Sequence, residues 1–391
     1  MSGAILFNDQ LLTTKFFVPS APHSLIARPH LTTLLDQGRR RKLTLISAPA
    51  GFGKTTLLAS WAQSLLQENP EAPHLAWVSL DEDDNEVVLF WTYLLTALDA
   101  QRQALCAPLL SYLRMQQVPK PPLRNILQAL INILANSTEQ VLLVLDDYHV
   151  ITEPEIHNSL TYLVEHLPPQ LHLILAARVD PPLPISLLRA RGEVLEVRTN
   201  QLRCTPEEVR TFFKEVMGMN LSGDLIHEVT ARTEGWLVGL QLLGLSLQGP
   251  TVPTDPLAEV SGSQHYILDY FMEEVLRRMP PSVQTFLLRT SILERLSASL
   301  CDSLLEQTGS QQMLDFLERA NVFVVPLDGQ RRWYRYHALF AEALRSRLEQ
   351  TEGEAIPRLH LRASRWFSEQ GYTTEAIRHA IRAGNCRKPL T

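Results

Sequence analysis

The sequence predicts an α/β domain, a parallel β-sheet with helices on both faces, followed by an α-helical domain, a winged helix and the start of a helical-repeat domain. Short apolar runs of strand length alternate with helical patterns through the first half of the chain. After about residue 200 the strand pattern almost disappears. One hairpin pattern then stands among helical patterns, as is typical of a winged helix.

Five short runs rich in Leu, Val and Ile define the predicted sheet. They are Leu43–Ser47, Leu75–Ser79, Val141–Leu145, Leu171–Ala176 and Val194–Val197. Helical patterns separate most of them, and these include Thr55–Leu66, Val87–Leu98 and Leu123–Leu134. Strands that alternate with helices pair in parallel, and helices then cover both faces of the sheet. We therefore expect a leader over residues 1–42 and an α/β domain over residues 43–200.

A helical domain is expected next, over residues 201–255. The segment Thr205-Pro-Glu-Glu combines an N-cap residue, a proline at the first helical position and acids in the first turn. A polar linker with prolines at positions 250, 253 and 256 follows it. Prolines at this spacing end the helical pattern, so they mark a boundary between modules.

A winged helix is expected over residues 256–350. Helical patterns precede two apolar or aromatic runs, Asn321–Leu327 and Arg332–Tyr336, that flank Asp328-Gly329. An Asp-Gly pair between such runs is a strong hairpin signal. The start of a helical-repeat domain is expected over residues 351–391, because residues 355–384 have the Ala, Leu and Trp spacing of one tetratricopeptide-like repeat; an ordinary C-terminal helical hairpin is the alternative. Because one repeat cannot bury its apolar face alone, the first interpretation predicts that the chain is cut from a longer protein.

Composition excludes several classes of protein. Hydrophobic residues make up 45% of the 391 residues, which rules out a disordered chain and allows roughly two to four domains. The formal net charge of -6 argues against a chain coated along its length by nucleic acid. The four cysteines form no C-x-x-C pair, so we expect neither a zinc site nor a disulfide framework. Without a signal peptide or a spanning apolar run, a cytoplasmic protein is expected.

The strongest functional motif is the segment Ala48–Thr55, which lies between a predicted strand and a helical pattern. Its glycines let several backbone N–H groups face one anion, and the helix N-terminus adds its dipole. This is a Walker A loop, with Ala48 in place of the first glycine; a chance glycine-rich turn is the alternative. We expect Lys54 to reach the β- and γ-phosphates of ATP and the Thr55 hydroxyl to hold Mg²⁺. The predicted nucleotide-binding residues of the loop are Pro49, Ala50, Gly51, Phe52, Gly53, Lys54, Thr55 and Thr56.

Acidic and basic residues follow the next strands of the predicted sheet. Asp146 and Asp147 end an apolar strand, at the edge where open α/β sheets bind ligands. We expect Asp146 to hold Mg²⁺, directly or through water, and Asp147 to orient or deprotonate the attacking water. An N-cap or structural role is the alternative for Asp147. The predicted catalytic residues are Lys54, Asp147 and Arg178. Arg178 would neutralise charge during phosphoryl transfer. The alternative for Arg178 is a solvated surface arginine.

Three further acids, Asp81, Asp83 and Asp84, follow the second predicted strand. They could assist the metal site, because strands of a parallel sheet end at one edge. We favour the simpler interpretation, a solvated acidic loop.

Seven segments occur in one order along the chain, and together they resemble the MalT-type regulators. They are Ile26-Ala-Arg-Pro, Pro49-Ala-Gly-Phe-Gly-Lys-Thr-Thr, Trp77–Asn85, Leu145–His149, Thr233–Trp236, Phe286–Ile292 and Trp333–His337. These regulators are signal-transduction ATPases with numerous domains (STAND proteins), in the LuxR-type group of transcriptional regulators. The resemblance covers roughly residues 5–385, and the combination in this order is specific although single Walker elements are common.

The resemblance implies a switch driven by ATP and ADP. ADP would lock the first domains closed, inducer and ATP would open them for self-association and transcription, and hydrolysis would reset the protein. The repeat domain would bind the inducer, and a C-terminal helix-turn-helix would bind DNA. In this sequence the repeat domain barely begins and no such helix-turn-helix follows, which puts direct DNA binding by this chain in doubt.

The resemblance also implies three contacts to the nucleotide. The leader around Arg28 resembles the segment beside the adenine. Trp236 lies in the helical-domain motif that approaches the nucleotide, or is simply a core aromatic residue. His337 matches the winged-helix histidine that contacts the β-phosphate of ADP, or is a hydrogen-bonded core histidine beside Tyr336.

Three functions remain to be weighed. An ATP-dependent regulatory switch with slow hydrolysis is the leading hypothesis, because a phosphate-binding domain is followed by modules that could clamp the nucleotide. A DNA-binding module is the second, since Arg331, Arg332 and Arg335 lie on or near the predicted wing. An ordinary P-loop ATPase or phosphotransferase is the third, and no acceptor-binding pattern favours it.

Overall fold

The structure is a computed structural model that describes residues 11–20, 26–68, 73–101, 106–114, 123–247 and 264–385. The linker expected around prolines 250, 253 and 256 lies outside these ranges, as does the segment 386–391. Contacts divide the chain into two compact units. The first comprises Met1–Ala48 and Gly53–Leu202, and the second comprises Pro49–Phe52 and Arg203–Thr391. The module boundaries expected from the sequence stay predictions.

The first unit contains the predicted parallel sheet. Its strands are β1 (Leu43–Ser47), β2 (His74–Ser79), β3 (Val141–Asp146), β4 (Leu171–Ala177) and β5 (Val194–Arg198). They are ordered β2-β3-β4-β1-β5, and every neighbouring pair is parallel. All residues of β1, β3 and β4 are buried, as central strands covered on both faces require. The predicted fold class is therefore confirmed, and each strand begins and ends within a residue of its prediction.

Helices cover this sheet. Among the described residues they are α1 (Pro29–Gly38), α2 (Lys54–Glu68), α3 (Val87–Gln101), α4 (Ala107–Arg114), α5 (Leu123–Ala135), α6 (Pro154–Glu165), α7 (Ile185–Ala190) and α8 (Thr199–Leu202). On α5 the buried residues Ile126, Leu127, Leu130 and Leu134 share one face, which joins the core of the sheet. Amphipathic packing of this kind fixes the helices that carry the loops at the sheet edge.

The register brings three loop starts to one edge of the sheet. Ser47 at the end of β1 pairs with Ala177 of β4 and Arg198 of β5, and Ser79 of β2 pairs with Asp146 of β3. The segments that follow β1, β3 and β4 therefore leave the sheet at the same carboxyl edge, where parallel sheets bind ligands.

Over residues 203–247 and 264–385, the second unit consists of helices and one hairpin. Its helices are α9 (Pro206–Thr211), α10 (Gly223–Thr233), α11 (Leu237–Leu247), α12 (Gln264–Glu274), α13 (Pro281–Thr290), α14 (Ala298–Leu305), α15 (Ser310–Arg319), α16 (Ala338–Glu352), α17 (Ile356–Glu369) and α18 (Thr373–Asn385). The predicted cap is present before α9, where Thr205 Oγ1 accepts from the Glu208 amide at 3.3 Å and the Glu208 carboxylate accepts from the Thr205 amide at 2.9 Å.

The predicted hairpin is confirmed, with a longer connection than a two-residue turn. Strand β6 (Val324–Pro326) pairs antiparallel with β7 (Tyr334–Tyr336). The Asp328 carboxylate accepts hydrogen bonds from the amides of Gln330, Arg332 and Trp333 at 3.0 to 3.1 Å. Asp328 therefore organises the whole wing instead of forming only the corner of a tight turn.

The last two helices form a packed pair. Nδ1 of His360 on α17 lies 2.8 Å from Nδ1 of His379 on α18, and the Ser364 hydroxyl donates to the Ala376 carbonyl at 2.8 Å. Both histidines are buried. Within the described ranges, no helix combines the length and apolar character that crossing a bilayer requires.

Candidate functional site

The glycine-rich loop joins β1 to α2. Gly51 and Gly53 have φ angles of 77° and 76°, in the left-handed region that side chains other than glycine rarely adopt. Two such residues so close together turn the chain sharply between Ser47, the last residue of β1, and Lys54, the first of α2. A backbone with this shape aims consecutive N–H groups at one point, which suits an anion.

Lys54 starts α2 with its side chain almost fully buried. It is 7% exposed, and its Nζ donates to the Ala48 carbonyl at 2.8 Å. The pKa of Lys54 is lowered to about 8, because burial and the Arg178 charge lower it more than the charges of Asp147 and Asp146 raise it. These influences mean that the sequence-predicted lysine, arginine and two aspartates share one electrostatic environment in the first unit.

Asp146, the last residue of β3, is in contact with Thr55. The Thr55 hydroxyl donates to Asp146 Oδ1 at 3.0 Å, and the Asp147 amide donates to the same oxygen at 3.1 Å. Burial, followed by the Asp147 charge, raises the pKa of Asp146 to about 6. A hydroxyl beside a carboxylate supplies the hard oxygen ligands that Mg²⁺ prefers, so this pair fits the metal.

Asp147 has an unusual backbone and an accessible side chain. Its φ of 57° is left-handed, and it precedes the 3₁₀ turn Tyr148–Val150. Among the described residues its carboxylate makes no capping bond to that turn, and its Oδ1 lies 3.7 Å from Nδ1 of His149. An N-cap role therefore does not explain the side chain, which is 47% exposed.

The other predicted residues of the first unit lie at the same edge or in the leader. Thr56 is half-buried in the first turn of α2, and Arg178 is half-buried directly after β4. Arg28 Nη1 donates to the Leu202 carbonyl at 2.9 Å, so the leader is held against the end of α8. Sequence reasoning missed Asp180, which accepts from the Ser47 hydroxyl at 2.8 Å. Only its position two residues after Arg178 could have suggested it.

The centre of the loop, residues 49–52, is bound within the second unit by Trp236 and Val238. The Trp236 indole donates to the Ala50 carbonyl at 3.0 Å, and the Val238 amide donates to the Gly51 carbonyl at 3.1 Å. A Cβ on Gly51 would lie 2.7 Å from Trp236 Nε1 and 2.8 Å from Val238 Cγ2. Gly51 is therefore required both for its φ and for this close approach.

His337 is buried beside Trp236. Its ring centroid lies 6.0 Å from that of Trp236 and 5.8 Å from that of Phe323. Nε2 lies 3.0 Å from the Thr233 carbonyl, while Nδ1 has no hydrogen-bond partner in the described part of the chain. Burial lowers the pKa of His337 to about 4. The ring is therefore neutral at pH 7 and must donate from Nε2, which leaves Nδ1 as an unused buried acceptor.

Glu234, between α10 and Trp236, binds two arginines. Its carboxylate accepts from Arg335 at 2.6 and 2.9 Å, from Arg203 at 2.9 Å and from the Ala338 amide at 3.0 Å. Its φ of 48° is left-handed. This cluster links α10 to the wing strand β7 and to the start of α16, and sequence reasoning missed it.

The acidic loop after β2 differs from the solvated loop that we expected. Asp84 is fully buried, because Lys15 Nζ binds both of its oxygens at 2.7 Å. Asp81 is half exposed and pairs with the same lysine. The expectation holds for the exposed Asp81 and Asp83 and fails for Asp84, because the partner of Asp84 comes from the leader, far away in sequence.

The sheet, the glycine-rich loop after β1 and the carboxylate at the end of β3 define a P-loop ATPase domain. Comparisons agree: residues 37–180 match the AAA domain family, and residues 272–356 match the MalT winged helix domain family. Each match covers less than half of the chain and shows similarity over its own segment, and the predicted resemblance to the MalT-type regulators is confirmed.

Two curated relatives match nearly the whole chain. It is 33% identical to the HTH-type transcriptional regulator MalT of Yersinia pestis (strain Pestoides F) over 96% of this chain and 41% of the relative. It is 33% identical to the serine/threonine-protein kinase PknK of Mycobacterium tuberculosis (strain ATCC 25618 / H37Rv) over 94% of this chain and 33% of the relative. The chain thus spans less than half the length of each relative.

Among solved structures, a Walker-type ATPase of Pyrococcus abyssi has the same fold. The TM-score is 0.57 at 14% identity, and the match covers 84% of this chain and 99% of that one. At this identity the likeness concerns the fold alone.

Proposed function

We propose that this chain is the ATP/ADP-dependent switch of a MalT-like, LuxR-type transcriptional regulator, which binds Mg-ATP and hydrolyses it slowly. The observation that carries the proposal is the hydrogen bond between the Thr55 hydroxyl and the Asp146 carboxylate. Thr55 directly follows the buried Lys54 and the glycine-rich loop, whose backbone conformation suits phosphate binding. The winged-helix match and the 33% identity to a transcriptional regulator support a regulatory use of the nucleotide. Because the chain covers only part of its relatives, this role is inferred for the region rather than for a whole protein.

Each side chain at the sheet edge has a role in this proposal. Lys54 binds the β- and γ-phosphates with the loop amides, and Thr55 with Asp146 holds Mg²⁺, which neutralises phosphate charge when bound. The exposed carboxylate of Asp147 orients or deprotonates the attacking water. Arg178, whose charge already acts on Lys54, offsets the charge that develops on the γ-phosphate. Arg28 lies in the leader segment proposed to line the adenine.

Two residues of the second unit are proposed to respond to the phosphates. Trp236 is bonded to the Ala50 carbonyl, so any adjustment of the loop changes its indole bond. His337 already donates from Nε2, so it could donate to a phosphate only from a protonated Nδ1. Binding of the ADP β-phosphate would then favour the imidazolium form, and its loss would return a neutral ring.

The remaining partners follow from the same proposal. ATP would favour self-association, an inducer or regulatory protein would act through the helical repeats, and DNA would be bound by a C-terminal helix-turn-helix in a longer form. We place the protein in the cytoplasm and expect no membrane partner.

Two of the three wing arginines, Arg331 and Arg335, are already paired with carboxylates, which disfavours DNA binding through the wing. Arg335 is engaged by Glu234 through two hydrogen bonds, and Arg331 Nε lies 3.1 Å from the Glu318 carboxylate. An arginine paired inside its own unit must lose that partner before it binds a phosphate. A gel shift at low salt tests this alternative. An ordinary phosphotransferase remains the third alternative, and no acceptor-binding pattern in the sequence favours it.

Calorimetry with ATP and ADP in the presence of Mg²⁺ tests the main proposal. We expect both nucleotides to bind the wild-type protein, Lys54→Ala to abolish or strongly weaken binding, and Asp147→Ala to bind ATP without hydrolysing it. No heat with folded wild-type protein would reject nucleotide binding. Unchanged turnover in Asp147→Ala would make that residue structural, and rapid turnover insensitive to any effector would reject the switch.

A further inference from the structure

A polar network in the first unit ties the loop after β2 to the turn that carries Asp147. Asn85 ends the 3₁₀ segment Glu82–Asn85. Its Nδ2 donates to the Val150 carbonyl at 2.9 Å, and its Oδ1 accepts from the amides of Thr152 at 2.6 Å and Glu153 at 3.2 Å. One side-chain amide therefore binds three backbone groups between Val150, at the end of the proposed catalytic turn, and Glu153.

The held segment is continuous with Asp147. The Val150 amide donates back to the Asp147 carbonyl at 3.1 Å, so residues 147–150 form a single closed turn. Asp147 itself occupies the left-handed region, which costs a residue other than glycine roughly 1–2 kcal/mol. Such a conformation persists only where surrounding contacts determine it. The hydrogen bond from Asn85 to the Val150 carbonyl is a contact of this kind, because Val150 is the last residue of the turn that begins at Asp147.

Asn85 is fixed in turn by the residue before it. The Asp84 carboxylate is fully buried and accepts from Lys15 at 2.7 Å through both oxygens, and from the Asp81 amide at 2.9 Å. Lys15, only 7% exposed, also lies 4.8 Å from the centre of the Tyr93 ring. A buried ion pair contributes little net stability because desolvation opposes it, but it permits few alternative geometries when every oxygen is bonded. This pair therefore sets the position of Asn85.

We propose that Asn85, anchored by the Lys15–Asp84 pair, is a positioning residue for Asp147 in ATP hydrolysis. The inference rests on the proposed function, because it gives Asn85 a part in the same reaction. Asn85 acts through the turn: it keeps the Asp147 carboxylate in one direction, so that the attacking water is bound in a productive place. Misplacement of a reacting group by about 1 Å can cost roughly a hundredfold in rate, so a single lost anchor is measurable.

Two substitutions of Asn85 separate positioning from stability. Asn85→Ala removes every side-chain bond to Val150, Thr152 and Glu153. Asn85→Asp keeps an acceptor for the two amides and loses the donor to Val150. Asn132→Ala, on the exposed face of α5, is the matched control. We would measure kcat for ATP hydrolysis, the dissociation constant for Mg-ATP and the melting temperature of the intact 391-residue chain.

We expect kcat to fall about tenfold or more in Asn85→Ala, to fall less in Asn85→Asp and to stay at the wild-type value in Asn132→Ala. The dissociation constant should change by less than about twofold, because Asn85 touches none of the residues proposed to bind phosphate. Asn85→Ala should not lower the residual, uncatalysed-level ATP hydrolysis of an Asp147→Ala background any further, since both changes disable one group.

Three results would overturn the inference: an unchanged kcat in Asn85→Ala, a loss of ATP affinity in proportion to the loss of kcat, or a full additional loss in the double variant. If Asn85→Ala fails to fold, Asn85→Asp decides by the same comparison, alone and with Asp147→Ala. Failure of the wild-type protein to bind ATP would reject the proposed function itself. A wild-type protein that hydrolyses ATP, beside an Asn85→Ala variant that does so equally well, would reject only the role of Asn85.

Discussion

The indole of Trp236 donates a hydrogen bond to the carbonyl oxygen of Ala50, 3.0 Å away, across a sequence separation of 186 residues. Both residues are buried. A buried carbonyl that loses its partner costs roughly 1–3 kcal/mol, so this bond favours one shape of the glycine-rich loop. The conformation of the proposed phosphate-binding loop therefore depends on Trp236, which lies between α10 and α11.

Trp236→Phe should loosen the loop while it preserves most of the aromatic packing. The new ring can still stack on Phe271, whose centroid lies 4.9 Å from that of Trp236, but the Ala50 carbonyl loses its donor. We expect about 1–2 kcal/mol of lost stability in urea unfolding and a several-fold faster release of ADP. Trp61→Phe is the control, because it also loses an indole hydrogen bond, to the half-exposed Asp36 at 2.9 Å, away from the loop. Equal ADP release from both variants would contradict a specific role for Trp236.

Gly51→Ala should damage the loop more than its left-handed backbone alone explains. The added Cβ would lie within 2.8 Å of both Trp236 and Val238, which leaves no room without a shift of the loop. Gly218 has a similar positive φ, 69°, but a Cβ there would meet nothing within 4 Å. Gly218→Ala should therefore cost only about 1 kcal/mol of backbone strain, whereas Gly51→Ala should cost more and weaken Mg-ATP binding at least about tenfold. Unfolding in urea and ATP calorimetry on both variants make the comparison, and equal losses would refute the steric argument.

Local patterns were sufficient to predict the sheet and the loop. The strands are continuous apolar runs, and the Ala48–Thr55 motif lies between a strand and a helix, so neighbouring residues contain the whole signal. The Thr205 cap before α9 is equally local. These features follow from chain geometry and short-range hydrogen bonds, which one sequence displays directly.

Long-range pairing of polar groups could not be predicted. Asp84 belongs to an acidic tetrad that resembles a solvated loop until Lys15 is placed beside it. Glu234 gives no sign in the sequence that Arg335, about a hundred residues later, will bind it. In both cases the carboxylate can be buried only because a basic residue distant in sequence pairs with it. Such pairing is set by the fold, so no short segment of the sequence reveals it.

Replacement of Glu234 by Gln should destabilise the second unit in a pH-dependent way. Burial alone would raise the pKa of Glu234, but hydrogen bonds from Arg335, the charge of His337 in its protonated form, and hydrogen bonds from Arg203 and the Ala338 amide lower it to about 2. Because the folded-state pKa is below the unfolded value of about 4.5, the charged form stabilises the fold above that value. This stability is lost as the pH falls towards 2.

The shift corresponds to about 3 kcal/mol at neutral pH, an upper figure because glutamine keeps an acceptor oxygen. Urea unfolding of wild-type and Glu234→Gln protein should differ most at pH 7 and converge as the pH falls below about 4. Glu294→Gln, which disrupts the exposed pair with Arg378, should cost less than about 1 kcal/mol at either pH. A pH-independent difference for Glu234→Gln would show that its charge does not stabilise the fold.

Binding of ATP should be accompanied by proton uptake at Lys54. Burial lowers the pKa of its ammonium to about 8, so a growing fraction of the nucleotide-free protein carries a neutral amine as the pH rises above that value. Phosphate binding requires the ammonium and raises its pKa, so affinity should fall with rising pH and binding at pH 9 should take up close to one proton. At pH 6.5 the lysine is already charged and little uptake is expected from it. Calorimetry in buffers of different ionisation enthalpy measures the protons directly, and Lys54→Arg, which stays charged throughout, should remove the uptake. Equal uptake by the wild-type protein and Lys54→Arg at pH 9 would assign the proton to another group and would remove Lys54 from the phosphate site.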